Sequence, residues 1–128
     1  FFIENKPCLA TGIGEELTAI DLDLSSYKLV VVKPDLHIST SEAYGGVMPA
    51  SDGSCLKDLI AAPMESWQLK NDFEKHIFEA HPQLQRIKDS MLKNDALYAS
   101  MSGSGSTIYA FFAESPDLNF ENASVFHL

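Results

Sequence analysis

The sequence predicts an α+β fold in which helices pack against one face of a sheet rich in antiparallel strands. Three observations lead to this prediction. Strand-type segments fill the first 33 residues, helix-type segments follow them, and strand-type segments return after residue 95. Strands on both sides of a block of helices favour one sheet with the helices on a single face.

Turn residues divide the N-terminal third of the chain into short strands. Asn5 and Pro7 favour a first turn, and Gly12 and Gly14 favour a second. The strands predicted on this basis cover residues 1–3, 8–11, 16–20 and 27–32. The last of them is rich in β-branched residues and apolar on both faces, so we expect it in the interior of the sheet.

The middle of the chain carries helix signals. Ser39 is a suitable N-cap for a short helix that Gly45 and Gly46 end, and a second helix is predicted over residues 56–61. Two longer helices, over residues 71–80 and 82–93, have apolar positions at Phe73, Ile77, Phe78, Leu84, Ile87 and Met91. This spacing gives each helix one apolar face, which we expect to pack on the sheet.

Two more strands and a tail complete the predicted fold. Residues 96–101 and 107–113 have strand composition, and the second segment is apolar on both faces, which predicts a position inside the sheet. Residues 114–128 include Pro116 and Asn119 and show no regular pattern. We therefore expect an irregular tail.

Composition limits the possible partners. The 128 residues are 45% hydrophobic and 21% charged, as in a single globular domain. The net charge of −9 opposes the phosphate contacts on which binding to nucleic acid depends, and it disfavours anionic membranes as well. No apolar run approaches the ~20 residues that span a bilayer. We therefore expect a cytoplasmic protein that binds neither nucleic acid nor membranes.

Cysteine and histidine do not predict a metal site. Cys8 and Cys55 lack Cys-x-x-Cys spacing, and His76 and His81 do not share a helix face.

Phe1 stands where an initiator methionine is expected, inside a strand-like stretch. This favours a piece of a longer protein, part of whose active site lies elsewhere.

The most specific short motif is the run Ser-Gly-Ser-Gly-Ser at residues 102–106. Small residues let the backbone adopt left-handed conformations, and successive N–H groups can then converge on an anion. A tight hairpin turn between two strands explains the same pattern equally well. The run is not a P-loop, since no Gly-Lys-Ser/Thr follows, nor a dinucleotide fingerprint, since Thr107 opens a strand.

A polar run, Asn-Asp-Phe-Glu, begins the first of the two longer helices. Asn71 or Asp72 can cap the helix, and Glu74 complements its dipole. A contact with a ligand is the other interpretation of these residues, and capping is favoured over it.

Five segments together resemble the C-terminal half of GHMP small-molecule kinases: residues 10–15, 33–34, 39–44, 71–74 and 101–107. The resemblance covers nearly the whole chain up to Phe112. It implies a ferredoxin-like α+β fold in which residues 1–128 form a single C-terminal domain that lacks the N-terminal ATP-binding domain of the family.

The resemblance also implies a reaction. Members of the family use ATP and Mg²⁺ to phosphorylate a hydroxyl of a small molecule. The segments are most similar to the branch that acts on a cytidine-diphosphate-linked methylerythritol in non-mevalonate isoprenoid biosynthesis. The catalytic acid, the catalytic lysine and the main ATP loop of the family match no segment here, so no catalytic residue and no metal ligand are expected in this chain.

Two sets of residues are expected to face the substrates. Gly103, Ser104 and Gly105 match the family motif that shapes the phosphate region, so the resemblance implies a phosphate-cleft loop formed by Ser102, Gly103, Ser104, Gly105 and Ser106. Phe2 matches an aromatic residue that stacks on cytosine, and Phe1 takes this role if the alignment shifts by one residue. The alternatives are another GHMP kinase, such as a homoserine or mevalonate-type enzyme, and a stand-alone ferredoxin-like regulatory or interaction module.

Overall fold

The computed structural model describes residues 6–48 and 55–128. The strand predicted at residues 1–3, with Phe1 and Phe2, lies outside this range. The described strands are β1 (Cys8–Thr11), β2 (Glu16–Ala19), β3 (Lys28–Pro34), β4 (Tyr98–Met101), β5 (Ile108–Phe112) and β6 (Ala123–His127). The described α-helices are α1 (Thr40–Gly45), α2 (Leu56–Ala61), α3 (Phe73–Ala80) and α4 (Pro82–Lys93), and a short 3₁₀ turn covers Met64–Ser66.

The main sheet has four antiparallel strands in the order β4-β5-β3-β6. Strands β3 and β5 are interior, as their two apolar faces predict. The helices lie in the crossover from β3 to β4, and β4 and β5 form a hairpin. This order and these connections confirm the ferredoxin-like prediction. The second crossover, residues 113–122, is described throughout and contains no helix.

Strand β6 corrects the prediction of an irregular tail. It pairs with β3, and Val125 lies opposite Val32. Ala123 and Val125 pack against the core, while Phe126 is half exposed. Five residues are a weak local signal, and their pairing partners lie between 89 (Pro34 to Ala123) and 97 (Val30 to His127) positions earlier in the chain. The strand is therefore stabilised by a contact that local pattern does not reveal.

One core lies between the sheet and the helices. The inward residues of β3 and β5, such as Val30 and Ala110, face the apolar sides of α3 and α4. Ile77, Leu84 and Met91 are fully buried, which confirms the predicted helix stripes. The short helix α1 also begins as predicted, since the Ser39 hydroxyl accepts the N–H of Glu42 at 3.1 Å.

Strands β1 and β2 form a separate two-stranded hairpin. The turn that joins them has positive φ at Gly12 (68°) and Gly14 (98°), and the N–H of Gly14 donates to the Thr11 carbonyl at 3.0 Å. Ile13 at the tip is 97% exposed. This glycine pair is a turn, as the sequence predicts.

Tyr109 lies on the sheet face opposite the helices, between Tyr98 and Phe111. The ring centroid of Tyr109 is 6.2 Å from that of Tyr98 and 5.9 Å from that of Phe111. Burial is the main cause that raises the pKa of Tyr109 above its ordinary value, and electrostatic interaction with Tyr98 adds to it.

The raised pKa of Tyr109 predicts a loss of stability at high pH. Above about pH 10 the unfolded chain releases a proton that the folded chain retains, so the free energy of unfolding falls as pH rises. Below pH 10 the contribution is fully present. We expect urea denaturation at several pH values between 8 and 11 to show that the free energy of unfolding falls less steeply with pH for Tyr109→Phe than for the wild type. An unchanged decline would contradict the assignment.

Candidate functional site

The glycine–serine loop, residues 102–106, joins β4 to β5 in a tight turn. The N–H of Ser102 donates to the Thr107 carbonyl at 2.8 Å, and the N–H of Gly105 donates to the Ser102 carbonyl at 3.0 Å. Gly103 (φ 55°) and Gly105 (φ 90°) adopt the left-handed region that glycine tolerates best. The hairpin-turn interpretation is therefore confirmed. A hairpin turn is also compatible with the binding of an anion.

Two successive N–H groups of the loop are available for an anion. Within residues 6–48 and 55–128, the N–H groups of Gly103 and Ser104 donate to no protein acceptor. Gly103 is exposed and Ser104 is half-buried. Successive N–H groups in turns can form anion-binding concavities without any cationic side chain, so these two groups are candidates for such a role.

Ser106, at the far end of the loop, has a structural contact instead. Its side chain is buried, and its hydroxyl donates to the Leu36 carbonyl at 2.5 Å. The hydroxyl of Ser106 therefore anchors the loop to the segment that follows β3, whereas Ser102 is exposed. Of the five predicted loop residues, Ser102 and Gly103 are exposed, Ser104 and Gly105 are half-buried, and Ser106 is buried.

Asn71, just before α3, contacts the loop across the fold. Its Nδ2 donates to the carbonyls of Met101 and Gly103, each at 2.8 Å. Its Oδ1 accepts the N–H of Phe73 at 3.0 Å, so the same side chain also caps the first turn of α3. The capping prediction is confirmed for Asn71, while Asp72 makes no side-chain cap hydrogen bond.

Glu74 lies in the first turn of α3, where the sequence predicts that it complements the helix dipole, and its carboxylate also contacts strand β4. Its Oε1 accepts the N–H of Met101 at 2.7 Å and the hydroxyl of Ser100 at 2.9 Å. Its Oε2 lies 2.5 Å from Nζ of Lys88, with both side chains largely buried. The carboxylate thus satisfies an outward N–H on the edge strand β4, immediately before the loop.

Sequence reasoning missed the pair of Glu74 and Lys88, although a signal was present. Glu74 lies three and four positions before the buried residues of α3, and Lys88 occupies the apolar side of α4 near Met91. A charged residue on each of two adjacent apolar stripes indicates a buried ion pair, because an unpaired buried charge is costly.

A cleft of about 800 Å³ lies beside the start of α3. Cationic and anionic side chains both line it: Lys70, Lys75 and Lys88, with Asp72, Glu74 and Glu79. Because the two signs balance, the cleft does not concentrate positive charge. The loop N–H groups are the better candidates for binding an anion.

Metal ligation and membrane insertion find no support in the described ranges. No group of three or more His, Cys, Asp or Glu side chains there could hold a metal ion. His81 instead contacts Glu42, with 2.6 Å between Nε2 and Oε1. Among these same residues, no helix has both the length and the apolar character to cross a membrane.

The chain matches a known family and several relatives. The family profile described as GHMP kinases C terminal matches residues 47–121. A protein of Parabacteroides distasonis named 4-diphosphocytidyl-2-C-methyl-D-erythritol kinase is 45% identical over 128 residues, which is 98% of this chain and 46% of the relative. A protein of Cytophaga hutchinsonii with the same name is 39% identical, over 97% of this chain and 47% of the relative.

A solved structure agrees with these relatives. The crystal structure of 4-(cytidine 5'-diphospho)-2C-methyl-D-erythritol kinase superposes with a TM-score of 0.72 and 25% identity, over 85% of this chain and 41% of that one. The chain thus spans a little under half the length of the relatives it matches. The resemblance inferred from the sequence is confirmed: the chain belongs to the GHMP kinase family and matches its C-terminal part.

Proposed function

We propose that this chain is the C-terminal domain of a kinase that transfers the γ-phosphoryl group of ATP to a hydroxyl of 4-diphosphocytidyl-2-C-methyl-D-erythritol, in non-mevalonate isoprenoid biosynthesis. The observation that carries the proposal is 45% identity over nearly the whole chain to a protein named as that kinase. Because the chain spans under half of that relative, residues 1–128 are proposed to lack the N-terminal ATP-binding domain.

Within this kinase, the glycine–serine loop is proposed to face the phosphates in the active cleft. The N–H groups of Gly103 and Ser104 supply fixed donors, and phosphoryl transfer depends chiefly on positioning and on stabilising charge. Donors held by the fold do not have to reorganise when negative charge develops on the phosphate oxygens. This is the chemistry that the loop can contribute.

The described residues fit ATP better than they fit Mg²⁺. Magnesium prefers carboxylate and phosphate oxygens, whereas the loop offers N–H donors, and no cluster of acidic ligands lies among the described residues. We therefore assign ATP with Mg²⁺ to the full-length enzyme, bound mainly by the N-terminal domain.

Phe2 is proposed to stack on the cytosine of the substrate, with Phe1 as the alternative one residue away. Both lie outside the described residues, so the proposal rests on the family resemblance.

A cytoplasmic location is proposed as well. The two cysteines, Cys8 and Cys55, are free thiols, which is usual for proteins of reducing compartments.

The test is an assay of the full-length protein that contains this chain. With ATP and Mg²⁺, we expect phosphorylation of 4-diphosphocytidyl-2-C-methyl-D-erythritol, seen as a new phosphate signal by ³¹P NMR and as ADP release. Homoserine and mevalonate serve as competing substrates, and preference for either would favour another GHMP kinase. Residues 1–128 alone are expected to be inactive, and activity of this chain alone would overturn the domain assignment.

A further inference from the structure

We propose that Asn71 is a positioning residue, which holds the glycine–serine loop in the conformation that presents its N–H groups to the phosphates of the nucleotide. This inference rests on the proposed function and deepens it. The side chain reaches the loop from before α3, and its two Nδ2 hydrogens are directed to the carbonyls of Met101 and Gly103.

The geometry of the peptide unit links Asn71 to the binding face. In a trans peptide, the carbonyl of one residue points opposite to the N–H of the next. The Gly103 carbonyl points towards Asn71, so the N–H of Ser104 points away from it. Holding that carbonyl therefore fixes the direction of one of the two available donors.

Without this contact the loop has an alternative that is unfavourable for binding. Gly103 has φ 55°, no side chain, and nothing within 4 Å of where a Cβ would lie, so we expect the peptide unit between Gly103 and Ser104 to rotate at little steric cost once the contact is lost. Rotation would turn a carbonyl oxygen towards the position of the Ser104 N–H. A carbonyl oxygen repels a phosphate oxygen, so the same loop sequence would then disfavour the ligand.

The substitution Asn71→Asp separates this role from helix capping. An aspartate retains the oxygen that accepts the Phe73 N–H, but a carboxylate has no hydrogen to donate to the two carbonyls. The cap on α3 is therefore kept while both contacts to the loop are lost. Asn94→Asp is the matched control, because Nδ2 of Asn94 also donates to one main-chain carbonyl, that of Ser90 at 2.8 Å, at the opposite end of β4.

The experiment measures KM and kcat of the full-length enzyme with varied ATP, together with the urea midpoint of each variant. For Asn71→Asp we expect KM for ATP to rise about tenfold, as the loss of two hydrogen bonds suggests. We expect a smaller change in KM for the alcohol substrate. Asn94→Asp should lower the urea midpoint and leave KM for ATP unchanged. If the role of Asn71 were merely structural, Asn71→Asp would give this same result.

The outcomes are distinguishable. A wild-type enzyme without activity on the cytidine substrate overturns the proposed function, and this inference with it. An active wild type whose KM for ATP is unaffected by Asn71→Asp overturns the inference alone. An equal rise of KM in Asn94→Asp also overturns it, because the effect would then follow general stability.

Discussion

Replacing Gly105 with alanine is expected to lower the free energy of unfolding by about 3 kcal/mol. Gly105 has φ 90°, which is strained for any residue with a Cβ. A Cβ there would also lie 2.7 Å from Sδ of Met101 and 3.0 Å from Cδ1 of Ile38, both of which are buried in the core. Urea denaturation followed by circular dichroism measures the loss.

Two other glycines separate backbone strain from the steric clash. Gly103 has φ 55° and nothing within 4 Å of an added Cβ, so Gly103→Ala should lose about 1–2 kcal/mol through strain alone. Gly45, the last residue of α1, also has open space, and Gly45→Ala should be neutral or slightly stabilising. Equal losses for Gly103→Ala and Gly105→Ala would contradict a packing role for Gly105.

Glu74→Ala is expected to lower the free energy of unfolding by about 3 kcal/mol. The substitution leaves the Met101 N–H and the Ser100 hydroxyl without the acceptor they share. It also leaves the largely buried ammonium group of Lys88 without its partner. Thermal and urea denaturation of the variant chain measure the effect.

Glu79→Ala is the control for this prediction, because Glu79 lies on the same helix and is exposed. We expect a change within about 0.5 kcal/mol there. A double-mutant cycle with Lys88→Met should give a coupling of about 1–3 kcal/mol between Glu74 and Lys88. If Glu74→Ala cost no more than Glu79→Ala, the contacts of Glu74 would not stabilise the fold.

Most of the fold follows from local pattern. The stripes of α3 and α4 identify their buried faces, and the two-sided apolar runs of β3 and β5 identify the interior strands. Strand β6 does not follow from local pattern, because the neighbour that it has among the described strands is β3, in the first third of the chain. Its five residues acquire a strand conformation through that pairing.

The sequence predicts where the candidate loop lies and that its backbone turns. It does not predict which side chains from elsewhere in the chain hold the loop in place. Glycine and serine composition identifies the loop, and positive φ at Gly103 and Gly105 agrees with it. Composition does not give the direction of the Ser104 N–H, because the carbonyl of the same peptide unit accepts a hydrogen bond from Asn71, 32 positions away. The role of Glu74 depends likewise on Met101, 27 positions along the chain.

The shape of the glycine–serine loop is assembled from distant parts of the chain, which has a consequence for folding. The Ser106 hydroxyl donates to the Leu36 carbonyl, 70 positions earlier, and the Asn71 side chain donates to the Met101 carbonyl. These two contacts require that β3, β5 and the start of α3 have already docked. Closing such long segments carries an entropic cost that the packed core must offset. A newly made or partly unfolded chain thus carries the loop's residues without its geometry, so the binding of phosphates that we propose for the loop would begin only when folding is complete.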